Sequence, residues 1–275
     1  MSYNWINAED YSFNSFLLMD RWILRGIIGL GQYGGGLYAN PENRKHLGIA
    51  LAYNPAVRWY FETKCPESAD RVASLVETAP CGLTAEEVRT SEVTILQEIE
   101  TFMVYLYPEV MESQCGYIRD WMPDKLLSIV DFSDKVVLDI GSGTGRLAFA
   151  AAQKARKVYA SEPVDRLREY MRDKIKAKGI TNMVVLDGVV AELPFEDSTF
   201  DIVTSACVFG DDYDAEYAEM ARVVKSGGYI IDCDGEEDSK HPEPSQDMLR
   251  LGFQFSMYVS KNCGDAYRYW KRVEK

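Results

Sequence analysis

The spacing of apolar positions changes near residue 130 and divides the chain into two parts. Before that point apolar residues recur at helical spacing; after it, short β-branched runs alternate with helical segments. The first part reads as helices at about Ser15 to Ile28, Pro55 to Thr63, Glu67 to Glu77, Ala85 to Leu106 and Cys115 to Ile129. Thr84 with Glu87 fits a capping box, in which hydroxyl and carboxylate satisfy backbone donors at the start of the long helix. Pro108 accounts for its end. Gly31, Gly34, Gly35 and Gly36 relax the backbone between the first two helices and read as a connector able to hinge.

The second part reads as strand and helix in alternation. Strands are expected at Val136 to Ile140, Lys157 to Ser161, Met183 to Asp187, Asp201 to Cys207 and Tyr229 to Cys233. Helices are expected from Arg146, from Val164 to Lys178 and from Asp214 to Val224. That order predicts an α/β fold with five parallel strands joined by crossover helices. Phe253 to Ser260 and Ala266 to Val273, separated by a turn around Asn262 to Gly264, should add an antiparallel hairpin at one edge. The acidic stretch Asp234 to Pro244 reads as a solvated loop.

Composition narrows the partners. Hydrophobic residues at 47% and charged residues at 27% describe a soluble chain that buries a core. Against 30 basic residues stand 43 acidic ones, a net charge of -13, which repels phosphate backbones and anionic membranes and argues against both as partners. The most apolar early window, Phe16 to Leu30, is interrupted by Asp20, Arg21 and Arg25 and reads as a buried helix, not a membrane span. Met1 to Tyr11 lack a basic segment followed by an apolar run, so no secretory signal is expected. The cysteines are scattered without a Cys-x-x-Cys pair, and His46 and His241 are the only imidazoles. No metal is expected, the thiols should be free, and the location should be cytoplasmic.

The chemistry concentrates in Val136 to Leu147, where a strand runs into Gly141, Ser142, Gly143, Thr144 and Gly145 and then into a helix. Such glycines let backbone amides approach a ligand near a helix start. A dinucleotide fingerprint places its third glycine three residues after the second, where Arg146 stands here, so NAD and FAD are the poorer match. Asp139, two residues before the first glycine, suits a cationic amino group and would repel a phosphate. About twenty residues on, the strand ending at Ser161 is followed by Glu162 and Pro163, and a carboxylate there can accept hydrogen bonds from two ribose hydroxyls.

A third stretch, Val189 to Val203 with Leu193, Pro194, Phe195, Phe200 and Asp201, followed by Arg222 to Gly228, completes an ordered set of motifs. With it the chain resembles the class I S-adenosylmethionine-dependent methyltransferases, in the small-molecule branch that includes quinone-biosynthesis enzymes. The resemblance covers about residues 125 to 275. It implies a Rossmann-like seven-stranded sheet, S-adenosyl-L-methionine as cofactor and S-adenosyl-L-homocysteine as product. It further implies that Gly141, Ser142, Gly143 and Gly145 wrap the methionine part, that Asp139 holds its amino group and Glu162 the ribose, and that Ala206 lies beside the sulfonium. One departure concerns adenine: Val189 stands where the family usually carries an aspartate, with Asp187 two residues earlier. Either the Val190 amide and apolar contact hold adenine, which is the preferred reading, or Asp187 takes over. A second departure is Phe209 and Gly210 where many relatives carry histidines.

Methyl transfer needs a base only if the acceptor must lose a proton. Candidates are Asp211, Asp212, Tyr213 and Asp214, with Asp211 and Tyr213 foremost; the same cluster suits the cap of a helix. Cys207 reads as a strand residue. Residues 1–124 read as a helical cap or substrate lid, and residues 125–275 as the cofactor-binding domain. Trp5, Trp22, Trp59 and Trp121 serve mostly as core, and Tyr33 and Tyr38 are expected at the mouth of the cleft. The expected partner is a small-molecule methyl acceptor. The oligomeric state stays open, with a homodimer through the N-terminal helices compatible with the sequence. Competing readings are a non-catalytic S-adenosylmethionine-binding sensor or assembly protein, a methyltransferase of a protein side chain, and a nicotinamide oxidoreductase disfavoured by the glycine spacing.

Overall fold

The structure is a computed structural model that describes residues 7–30, 37–210, 212–233, 243–259 and 265–275. The chain forms two units, Met1–Tyr107 and Pro108–Lys275.

The first unit contains helices α1 (Arg21–Ile27), α2 (Pro41–Tyr53), α3 (Pro55–Lys64), α4 (Ala69–Glu77), α5 (Ala85–Glu98) and α6 (Glu100–Met103). The helix expected from Ser15 to Ile28 is two pieces, a 3-10 turn over Phe13–Leu18 and then α1. The break is Asp20, whose extended backbone and carboxylate cap α1 by accepting a hydrogen bond from the Ile23 amide at 3.2 Å. The expected helix from Ala85 to Leu106 likewise breaks at Ile99. The capping box at its start is formed: the Thr84 amide donates to Glu87 at 2.7 Å and the Glu87 amide to Thr84 Oγ1 at 3.3 Å. Helix α2 was not anticipated. It begins at an Asn40 cap with Pro41 in the first turn, and Asn54 ends it while capping α3. Leu47, Leu51, Val57, Phe61, Val72, Ile95 and Leu96 are buried in this unit, with the rings of Phe16 and Phe61 5.6 Å apart.

The second unit opens with the short helices α7 (Pro108–Gln114), α8 (Gly116–Arg119) and α9 (Asp124–Leu127). Then come β1 (Val136–Ile140), α10 (Arg146–Ala151), β2 (Lys157–Ser161), α11 (Asp165–Lys178), β3 (Met183–Leu186) and β4 (Phe200–Ser205). The chain closes with α12 (Tyr213–Val223), β5 (Val224–Asp232), α13 (Gln246–Arg250), β6 (Gln254–Val259) and β7 (Asp265–Arg272). The seven strands lie in the order β3-β2-β1-β4-β5-β7-β6. The pairs among β3, β2, β1, β4 and β5 are parallel, and β7 is antiparallel to both β5 and β6. This is the Rossmann-like plan read from the motifs, hairpin included.

The expected boundary at residue 124 moves to residue 107. Side chains explain the shift: Glu112 on α7 accepts from the Tyr170 hydroxyl at 2.7 Å and pairs with Lys174 on α11, while the Arg146 guanidinium lies 5.2 Å from the Trp121 ring. Residues 108–124 therefore pack with the sheet unit.

Both faces of the sheet are covered. Alternation along β1 sends Val137 to one apolar layer, with Leu147, Val158, Met171 and Ile202, and sends Leu138 and Ile140 to the other, with Phe200, Val203, Met220 and Ile230. The Leu193, Pro194, Phe195 stretch is fastened by Arg222, which donates to the Leu193 and Phe195 carbonyls at 3.0 and 2.8 Å. Strand order reverses between β1 and β4. A crevice at the carboxyl ends of these strands is where ligands bind in open α/β sheets.

Candidate cofactor and active site

After β1 the chain makes the glycine turn. The Gly145 amide donates to the Ser142 carbonyl at 2.7 Å, and the Phe149 amide to Gly145 at 2.8 Å begins α10. Gly145 has φ +93°, and a Cβ there would stand 2.5 Å from the Phe149 ring, so the turn packs flush against its own helix. Gly143 has φ +56°, but a Cβ there would meet nothing within 4 Å. Gly143 thus presents the open side of the loop.

Glu162 follows β2 and is buried at 4% exposure. Its Oε2 accepts from the Gly143 amide at 2.8 Å, and its Oε1 from the Val164 amide at 2.9 Å at the start of α11. The carboxylate expected to bind ribose is therefore also the clasp between glycine loop and helix. A carboxylate oxygen can accept more than one hydrogen bond, so both roles are compatible. Arg168, itself buried, donates to the Glu162 carbonyl at 2.6 Å, pairs with Asp165 and reaches Asp187 at 3.2 Å.

Asp139 pairs in register with Thr204 on β4. It is 1% exposed; its Oδ1 accepts from the Thr204 hydroxyl at 2.7 Å, and its Oδ2 accepts no hydrogen bond among the described residues. Burial pushes the carboxyl up to about 6, against the pull of the Thr204 hydroxyl, Ser142 and the Arg146 charge. A buried acceptor oxygen without a donor fits a cationic amino group. Together with the open side of Gly143, it makes the residues present compatible with S-adenosylmethionine.

Of the adenine candidates, Asp187 is exposed and engaged with Arg168. Val189 is half-buried in an isolated bridge with Glu192, and Val190 packs on the apolar layer of Leu138. Gly188 before them lies on Ser161, since a Cβ there would be 2.5 Å from Ser161 Oγ. Pro163 stands between Glu162 and α11. Ala206, directly after β4, is half-buried, and Cys207 next to it has φ +56° and is exposed, so Cys207 is a loop residue and not part of the strand.

Among the base candidates, Asp211 lies outside the described residues. Asp212 caps α12, accepting from the Ala215 amide at 3.0 Å, and Asp214 pairs with Arg250 at 2.9 Å. The Tyr213 ring stacks on Phe209, centroids 5.7 Å apart. Tyr33 also lies outside the described residues. Sequence reasoning passed over Thr204, Arg168, Ser205 and Asp232, the last two joined by a 2.6 Å hydrogen bond. Polar Thr204 and Ser205 at the end of an apolar strand were a visible signal; the partners of Arg168 were not.

A family described as "Methyltransferase domain" matches residues 137–228. The demethylmenaquinone methyltransferase of Thermobifida fusca is 31% identical over 166 residues, which cover 56% of this chain and 67% of that protein. The ubiquinone/menaquinone biosynthesis C-methyltransferase UbiE of Idiomarina loihiensis is 39% identical over 149 residues, covering 48% of this chain and 56% of that one. The chain thus spans little more than half of some of these relatives. A crystal structure of a SAM-dependent methyltransferase from Aquifex aeolicus shares the fold, with a TM-score of 0.50 at 18% identity, covering 60% of this chain and 96% of that one. The chain belongs to the class I S-adenosylmethionine-dependent methyltransferases, in the branch that contains the quinone-biosynthesis enzymes.

Two outcomes follow from the site. Glu162→Ala should weaken S-adenosylhomocysteine binding by about 1.5 to 3 kcal/mol, the range for hydrogen bonds to a charged group. It should also lower the urea stability of the ligand-free protein, because two backbone donors lose their acceptor; unchanged affinity by calorimetry would refute the ribose assignment. For Asp139 the folded value lies above that of the unfolded chain. Its contribution to stability is therefore full below the ordinary carboxylate range and lost as pH rises through about 6. An ammonium partner requires the charged form, so affinity for S-adenosylhomocysteine should fall as pH drops below about 6, approaching tenfold per pH unit. Asp139→Asn should flatten that profile. A flat profile in the unaltered protein would contradict the assignment.

Proposed function

We propose that this protein transfers the methyl group of S-adenosylmethionine to carbon on a small quinone-type acceptor in its reduced form. One observation carries the transfer reading: the open glycine loop, the Glu162 carboxylate and the under-bonded Asp139 lie together at the carboxyl ends of β1 and β2. The names of the relatives support the acceptor class.

When bound, the cofactor supplies a methyl group already activated on a sulfonium, transferred by in-line displacement. Glu162 would accept hydrogen bonds from ribose hydroxyls while holding the Gly143 and Val164 amides, and Pro163 would border that sugar. Asp139 would hold the ammonium, and Ser142, Gly143 and Gly145 would line the methionine tail. Val189 and the Val190 amide would meet adenine, and Ala206, with no bulk beyond Cβ, would leave room beside the sulfur.

The acceptor side is built from the residues after β4. Phe209 stacks on Tyr213 and lies edge-on to Phe253 at 6.1 Å, which supports an apolar wall for a flat ring. Asp212 caps α12 and Asp214 pairs with Arg250; Tyr213 and Asp211 are the groups assigned to take a proton from an acceptor hydroxyl. A role for the N-terminal unit in selecting the acceptor belongs to the same proposal.

The test is incubation with isotope-labelled S-adenosylmethionine and a reduced naphthoquinone lacking its ring methyl group. Label should enter a ring carbon, and Tyr213→Phe or Asp211→Asn should lower kcat by about 100-fold or more with little change in KM if that residue carries the proton. Absence of label from every reduced quinone offered would refute the acceptor assignment.

A further inference from the structure

We propose that Arg44, Arg71 and Tyr38 form a binding site for a doubly charged oxyanion, wholly within the N-terminal unit and independent of the methyl-transfer reading. Arg44 lies on α2 and Arg71 on α4, and both are half-buried. Their guanidinium carbons stand 5.7 and 5.0 Å from the centroid of the Tyr38 ring.

Each arginine is held by the backbone. Arg44 Nη1 donates to the carbonyls of Tyr38 at 2.8 Å and Ala39 at 3.0 Å; Arg71 Nη1 donates to those of Ile28 and Gly29, both at 2.8 Å. That anchoring occupies one nitrogen of each guanidinium. The Nε–H and Nη2 edge, the fork that matches a carboxylate or phosphate, makes no hydrogen bond on either side chain among the described residues. The Tyr38 hydroxyl is likewise without a hydrogen bond among them.

Charge points the same way. Other arginines of this unit sit against acids: Arg21 and Arg25 on Glu67, Arg58 on Glu62, Arg89 on Glu92. Arg44 and Arg71 have no carboxylate partner among the described residues, although the chain carries 43 acidic residues against 30 basic ones. The nearest acids in sequence do not fill the gap: Glu42 is exposed and lies 3.7 Å from Lys45, and Asp70 is exposed. Gly29, at φ +76°, brings the chain flush against Arg71 and Tyr38, since a Cβ there would stand 2.9 Å from Arg71 Nη1 and 3.0 Å from the Tyr38 ring. The two cations are thus fixed before any ligand arrives, which lowers the entropy lost on binding. Two positive charges beside one tyrosine ring suit the phosphate group of a small phosphate ester or a dicarboxylic acid.

The experiment is calorimetric titration of the full chain with pyrophosphate, methyl phosphate and succinate at constant ionic strength. Saturable binding is expected. Arg44→Gln and Arg71→Gln should each weaken it about tenfold or more, while Arg58→Gln leaves it unchanged. Arg44→Lys and Arg71→Lys, which keep the charge and can still reach a carbonyl, should weaken it as well because the fork is lost. Circular dichroism and thermal unfolding of every variant show whether the fold is retained. Binding of the phosphates alone identifies a phosphate ester site, and binding of succinate alone a dicarboxylate site. Absence of saturable binding by any probe, or equal binding in folded Arg44 and Arg71 variants, would overturn the proposal.

Discussion

At the end of β2 one carboxylate accepts hydrogen bonds from the backbone of two different elements, and the shape of the site depends on it. Glu162 takes the Gly143 amide from the loop after β1 and the Val164 amide from the start of α11. Donors buried there without an acceptor would cost about 1 to 3 kcal/mol each. A carboxylate is the strongest available partner for two at once. The positive-φ loop, the first turn of α11 and, through Arg168, the end of β3 are thereby held in one arrangement before a ligand is present.

Next to that satisfied carboxylate sits an unsatisfied one. Asp139 shares a register position with Thr204, uses one oxygen and leaves the other buried without a donor among the described residues. The two acids illustrate how position decides function within one crevice. Glu162 is stabilised by the fold, whereas burial raises the Asp139 carboxyl above its ordinary range. Ser205 and Asp232 extend the row of hydroxyl and carboxylate pairs to β5, so the carboxyl edge of the sheet is polar while the strands behind it are dry on both faces.

The second unit was readable because its signals are local and agree with one another. Strand, glycine turn, helix and strand-terminal acid follow in order, and each occupies nearly the expected residues. The first unit was less readable because its boundaries are set by single caps that interrupt an otherwise helical spacing. Asp20 splits one expected helix and Ile99 another; at the start of the second unit Pro123 likewise separates α8 from α9 within a third. Helix α2 escaped notice because its apolar residues Leu47, Ile49, Ala50 and Leu51 are buried on several sides and give no stripe, although Asn40 and Pro41 marked its start. In the site, the positions of Glu162 and Asp139 could be read from motif order. The double use of Glu162 and the engagement of Asp187 by Arg168 could not, because they depend on which side chains meet in space.

The account rests on the crevice at the ends of β1 and β2 being made for a sulfonium nucleoside and not for a dinucleotide. Calorimetric titration of the unaltered protein with S-adenosylmethionine, S-adenosylhomocysteine and NADH tests this most directly. Saturable binding of the two sulfur nucleosides without a response to NADH is the predicted result. Binding of NADH with silence from both sulfur nucleosides would contradict it.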